Sequence, residues 1–158
     1  MSLFSSNNPP GGTIGTPAPE WKPTGWLNSE PFRLADLRGY VALVEFWTFD
    51  CINCRNVLPA ILQWYQTYAQ RGLVIVGIHT PEFRHEREIK NVQAAIRELG
   101  IPYPVALDND FETWRAYHNR YWPAFYLVDK RGVIRYTHIG EGNYDQTSKA
   151  IAALLAEQ

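Results

Sequence analysis

The chain has 158 residues, 16 acidic and 15 basic side chains, and a net charge of −1. That length suits one domain with a single sizeable core. The charges are scattered, with no basic stripe to hold nucleic acid, and no apolar run is long enough to span a bilayer. Aromatics make up 14% of the residues, including six Trp and nine Tyr, enough to fill a core or to line an apolar docking surface.

Residues 1–13 are polar and rich in Ser, Asn, Pro and Gly, and read as a flexible leader or linker without the basic and apolar regions of a signal peptide. The remainder, 14–158, reads as one domain. Trp21–Leu34 predicts a hairpin, with Trp26-Leu27 and Phe32–Leu34 as its strands, and Ala35–Gly39 a turn. Val41–Trp47 is almost continuously apolar and predicts a buried strand. Ile52 to about Gln70 predicts a helix with Val57, Leu58, Ile61, Leu62, Tyr65 and Tyr68 on one face, kinked at Pro59. Leu73–Ile78 is β-branched and predicts a second buried strand. His85–Leu99 predicts a helix with Ile89, Val92, Ile96 and Leu99 on one side and Gly100 as its stop. A short extended piece, Pro104–Leu107, precedes Asp108 and Asp110, which are N-cap candidates for a helix from Phe111 to about Tyr117. The two acids could suggest a cation site, but capping explains them more simply. Ala124–Val128 and Val133–Ile139 flank the turn Asp129–Gly132 as a hairpin. Asp145–Glu157 closes the chain as a helix with Ile151, Leu154 and Leu155 inward. Early strands separated by helices and a late hairpin imply an α/β fold, a mixed central sheet covered on both faces.

Cys51 and Cys54 are the only cysteines, and they fall between the first buried strand and the start of the first long helix. Partial positive charge at a helix N-terminus favours a thiolate. Two thiols at this spacing suit reversible two-electron exchange, in which one attacks a disulfide and the other resolves the mixed intermediate. Half a zinc site is an alternative, but structural zinc wants four ligands and no second cysteine pair exists. A structural disulfide is another, but so short a loop would stabilise weakly. Cys51, the more N-terminal thiol, is the expected nucleophile, and Cys54 the resolving thiol. Glu45, on an otherwise apolar strand, is either a salt-bridged edge residue or a buried acid. His79, at the end of the second strand, reads as a polar rim residue, and Glu82, Arg84 and His85 as a solvated helix start.

The segments Phe46–Cys54 and Tyr121–Asp129 resemble the thioredoxin superfamily, in particular its TlpA-like and DipZ-like branch of thiol-disulfide oxidoreductases. His79–Phe83, Leu107–Asp110 and Gly140–Gly142 look DipZ-like, and Phe32–Gly39 resembles the N-terminal hairpin shared by the TlpA-like and peroxiredoxin-like branches. The resemblance implies a thioredoxin-like fold with an N-terminal β-hairpin and a helical insertion. It implies that Glu45 takes the proton of Cys54, that Pro123 follows a cis peptide facing the cysteines, and that Trp47, Trp122 and Pro123 flank the substrate. It implies exchange with disulfide-bearing protein substrates in the reducing direction, with no cofactor or metal. The electron donor would be a membrane thiol transporter domain or a thioredoxin. The location would be extracytoplasmic, or cytoplasmic if Met1 is the natural start. Ile52-Asn53 replaces the Gly-Pro of ordinary thioredoxins, which bears on the reduction potential. Two other functions fit the sequence. A peroxiredoxin-like peroxidase would use Thr48, three residues before Cys51, although Val44 stands where such a site has proline. A non-enzymatic docking module would use the aromatic surface.

Overall fold

A computed structural model describes residues 9–158. The elements are β1 (Gly25–Leu27), β2 (Val41–Trp47), α1 (Ile52–Tyr68), β3 (Leu73–His79), α2 (Ile89–Leu99), β4 (Val105–Leu107), α3 (Glu112–Ala116), β5 (Ala124–Val128), β6 (Ile134–Ile139) and α4 (Tyr144–Ala156). The strands form one mixed sheet in the order β1-β4-β3-β2-β5-β6. β2 lies parallel to β3 and antiparallel to β5. Among the described residues, no helix is long and apolar enough to cross a membrane.

Every residue of β2 is buried, because both faces of the sheet are covered. Side chains alternate across a strand. Val41 and Leu43 therefore join the core under α1, α2 and α4, where Val57, Ile61, Val92, Ile96 and Ile151 pack. Ala42, Val44 and Phe46 join the opposite core, with Tyr117 after α3 and Trp21 and Leu34 from the N-terminal segment. The α2–β4 unit, between β3 and α3, is the expected helical insertion. α1 continues through Pro59 and buries Trp64 beside Val57, Leu58 and Ile61, whereas Leu62, Tyr65 and Tyr68 only border the core. The hairpin β5–β6 forms as expected. Its turn is held by Asp129, which accepts the N–H groups of Arg131 and Val133.

Four expectations are corrected. The N-terminal hairpin does not form: β1 pairs antiparallel with β4, and Leu34–Leu37 is a 3-10 turn. Pro31 offers no backbone donor, and the aromatic side chains gather instead of pairing through a ladder. Trp26 and Phe32 lie 4.7 Å apart, and the Trp21 indole donates to the Phe32 carbonyl at 2.8 Å. The second helix starts at Ile89 rather than His85, because Arg84–Arg87 forms a separate 3-10 turn and Glu88 is extended. Ile89 is consequently exposed rather than inward. Asp108 does cap α3, but through the N–H groups of Thr113 and Trp114, while Phe111 holds the N-cap position. Of the expected leader 1–13, residues 1–8 lie outside the described residues, but Gly11 and Gly12 pack against the backbone at Ala116 and Tyr117. Gly12 has φ +90°, and a Cβ there would meet the Tyr117 carbonyl oxygen at 2.2 Å. Packed chain thus begins before residue 14.

Candidate active site

The sheet brings three segments to one end. β2 runs into Thr48–Cys51, the parallel β3 ends beside it at His79, and the antiparallel β5 begins there after Trp122-Pro123. The Trp122–Pro123 peptide is cis, and the Trp122 carbonyl oxygen lies 4.0 Å from Cys51 Sγ. The Trp122 indole donates to the Thr80 carbonyl at 2.8 Å and leans on Trp114 at 4.3 Å.

Cys51 is the N-cap of α1, and its sulfur accepts the Cys54 N–H at 3.2 Å. Both cysteines are free thiols; Cys51 is half-buried and Cys54 is 5% exposed. Hydrogen bonding from the Cys54 thiol, then from the Cys54 and Asn53 N–H groups, lowers the Cys51 thiol to about 7, against burial and the charge of Glu82. Burial first, then the bond to Cys51 and the charge of Glu45, pushes the Cys54 thiol far up. One sulfur is therefore ionised and accessible near neutral pH, and the other is protonated and covered.

Glu45 is 2% exposed on the α1 side of β2. Burial, and secondarily the Cys51 charge, raises its carboxyl well above the usual range. Its register partner is Gly77. The missing side chain there makes room for the Trp47 indole, since a Cβ on Gly77 would meet Trp47 Nε1 at 2.7 Å. Glu45, Trp47, Cys54, Leu58 and Tyr103 line a cavity of about 10 Å³, roughly the room one water needs. Trp47 is 3% exposed, which makes it a wall of this cavity and not a surface residue. Of the residues expected to flank substrate, Trp122 is partly exposed beside Cys51, and Pro123 is buried behind it.

His79 is not a rim residue. It is fully buried, stacked on Phe49 at 5.7 Å and edge-on to Trp47 at 4.8 Å. Burial lowers its pKa to about 4, which leaves it neutral near pH 7. Its Nε2 lies 3.4 Å from Thr48 Oγ1. Thr48 does not turn its hydroxyl to Cys51 as the peroxidase reading requires; it donates to Glu86 Oε2 at 2.5 Å.

Glu86 was hidden in the sequence by the charged run around it. It is 0% exposed, whereas Glu82, Arg84 and His85 are solvated as expected. Glu86 accepts the Phe83 N–H as the acidic half of a capping box does, but Phe83 has no side-chain oxygen to complete the box, so the sequence carries no capping signature there.

Comparison with known proteins agrees with this geometry. The AhpC/TSA family model matches residues 14–137. Protein DipZ of Mycobacterium tuberculosis is 47% identical over 135 residues, covering 84% of this chain and 19% of DipZ, so the chain spans about a fifth of that relative. Thiol-disulfide oxidoreductase YkuV of Bacillus subtilis is 28% identical, covering 84% of this chain and 88% of YkuV. A crystal structure of a thioredoxin-like superfamily protein superposes with a TM-score of 0.84 at 30% identity, covering 90% of this chain and 97% of the other. The chain belongs to the AhpC/TSA family and has a thioredoxin-like fold.

Proposed function

We propose that the domain reduces disulfides of protein substrates, with Cys51 as nucleophile, Cys54 as resolving thiol and Glu45 as the acceptor of the Cys54 proton. The Cys51 thiolate attacks a substrate disulfide, forming a mixed disulfide and expelling one substrate thiolate. The ionised form of Glu45 takes the Cys54 proton through the small shared cavity, leaving a neutral carboxyl, and the Cys54 thiolate attacks the Cys51 sulfur. The second substrate thiolate leaves, two electrons have passed to the substrate, and the enzyme holds a Cys51–Cys54 disulfide. A dithiol donor, a thioredoxin or the thiol domain of a membrane transporter, restores the reduced pair. Trp122 and Pro123 border the nucleophile, and the Trp122 backbone offers a place for an extended substrate segment. Ile52 and Tyr121, 67% and 55% exposed, extend an apolar rim on either side.

The observation that carries this reading is the contrast between the two sulfurs. Its size supports the reducing direction: strong oxidants stabilise the reduced form through a thiolate of very low pKa, whereas Cys51 is lowered only to about 7. The test is covalent trapping. Cys54→Ser is expected to accumulate a mixed disulfide with a reducible protein, visible by mass spectrometry, and Cys51→Ser is expected to accumulate none. Equal trapping by both variants would void the assignment.

A further inference from the structure

The segment Thr80–Glu86 touches the site from two sides, and the disulfide exchange itself uses none of its side chains. At one end the Thr80 carbonyl accepts the Trp122 indole N–H. At the other, the buried Glu86 carboxylate accepts hydrogen bonds on both oxygens. Oε2 takes the Thr48 hydroxyl at 2.5 Å and the Asp50 N–H at 3.0 Å. Oε1 takes the N–H groups of Glu82 at 3.0 Å and Phe83 at 2.8 Å. Outside this contact, His85 Nε2 pairs with the Asp50 carboxylate, and the His85 ring lies edge-on to Phe49 at 5.6 Å. Thr48, Phe49 and Asp50 are the three residues that precede Cys51, and the Cys51 N–H itself bonds back to the Thr48 carbonyl at 3.3 Å.

We infer that Glu86 is a positioning residue for the nucleophile, fixing the Thr48–Asp50 turn so that the Cys51 sulfur stays seated on the first turn of α1. The inference rests on Cys51 being the attacking thiol. A buried carboxylate offering two acceptor oxygens to four donors is geometrically demanding, because three of the donors are backbone N–H groups whose directions are fixed by the chain. The bonds cross between loops, with Glu86 38 residues from Thr48 and 36 from Asp50 in sequence, so they do not follow from either loop alone. The groups acting directly on the Cys51 sulfur are Cys54, Asn53 and Glu82. Losing a nearby negative charge would lower the Cys51 pKa and speed alkylation, so slower alkylation with an upward displacement on altering Glu86 reports placement of the sulfur.

Glu86→Gln tests this, because an amide has one acceptor oxygen and must turn its NH2 toward two of the four donors. Thr48→Val removes a single bond to the same carboxylate and serves where E86Q folds poorly. The full chain is reduced and alkylated with iodoacetamide from pH 5 to 10, and each cysteine is followed by mass spectrometry beside a thermal melt. Alkylation of Cys51 at pH 6 is expected to slow by roughly three- to tenfold in E86Q and about twofold in T48V, with the pH profile displaced upward. Melting temperatures that fall while both Cys51 profiles match wild type would overturn the inference and make Glu86 a structural tie only. If wild-type Cys51 already reacts no faster than a free thiol, the nucleophile assignment fails instead, and the wild-type profile alone tells the two failures apart.

Discussion

Two buried carboxylates serve the same end of the sheet under opposite conditions. Glu45 sits in the floor beneath Cys54, and among the described residues no donor approaches its carboxyl; burial raises its pKa. Glu86 sits in the shoulder beside Cys51, equally excluded from solvent, with four donors aimed at it. A buried acid left without donors favours its neutral form, and its carboxylate, once ionised, is a stronger base for a neighbour's proton. A buried acid saturated with donors is a structural anchor. The same residue type thus gives a movable proton in one place and a fixed loop in another, and the difference lies wholly in what surrounds it.

Emptying the shoulder is the severest way to break the contrast. Glu86→Ala leaves three backbone N–H groups and the Thr48 hydroxyl without their acceptor, and a loss of about 3 kcal/mol or more is expected in urea unfolding. A loss below 1 kcal/mol would mean that the four bonds do not hold the loops. Crowding the floor comes next. Gly77→Ala drives a methyl to 2.7 Å from the Trp47 indole nitrogen, and should cost about 1–3 kcal/mol; a neutral result would show that the indole is free to move. The subtlest test concerns the sign of the floor's titration. The Glu45 carboxyl is raised in the folded chain from an ordinary value of 4.5, so above that pH the unfolded state releases a proton that the folded state keeps. Wild type therefore loses stability as pH rises from the unfolded value toward the folded one, and Glu45→Gln does not. The gap should widen in favour of E45Q by about 1.4 kcal/mol per pH unit within that window. A gap constant with pH would place Glu45 among the anchors, with Glu86.

The floor was largely legible in the sequence and the shoulder was not. Val41–Trp47 is an unbroken apolar strand except at Glu45, so local pattern alone marks that acid as anomalous, and Cys51 and Cys54 are marked by their spacing before a helix. Trp122-Pro123 is marked only by the family resemblance, since a proline ahead of a strand has by itself an ordinary reading as a strand start. Glu86 lies between His85 and Arg87 in a run that looks solvated, and only contact with Thr48 and Asp50 from another loop buries it. His79 was misread because the stacking of Phe49 that covers it is likewise a tertiary event. The N-terminal segment failed differently. Trp26-Leu27 has strand character, but its partner was the distant β4 and not the nearby Phe32–Leu34. Burial that depends on neighbours in sequence shows in the pattern, and burial that depends on loops meeting in space does not.

The central claim is that one sulfur is activated and the other is held in reserve. Site-resolved alkylation of the reduced wild-type protein across pH tests it most directly. Cys51 is expected to react with a midpoint at about 7, while Cys54 stays unmodified until the chain is unfolded. Two cysteines alkylating together with the midpoint of a free thiol, about 8.5, or Cys54 reacting first, would contradict it.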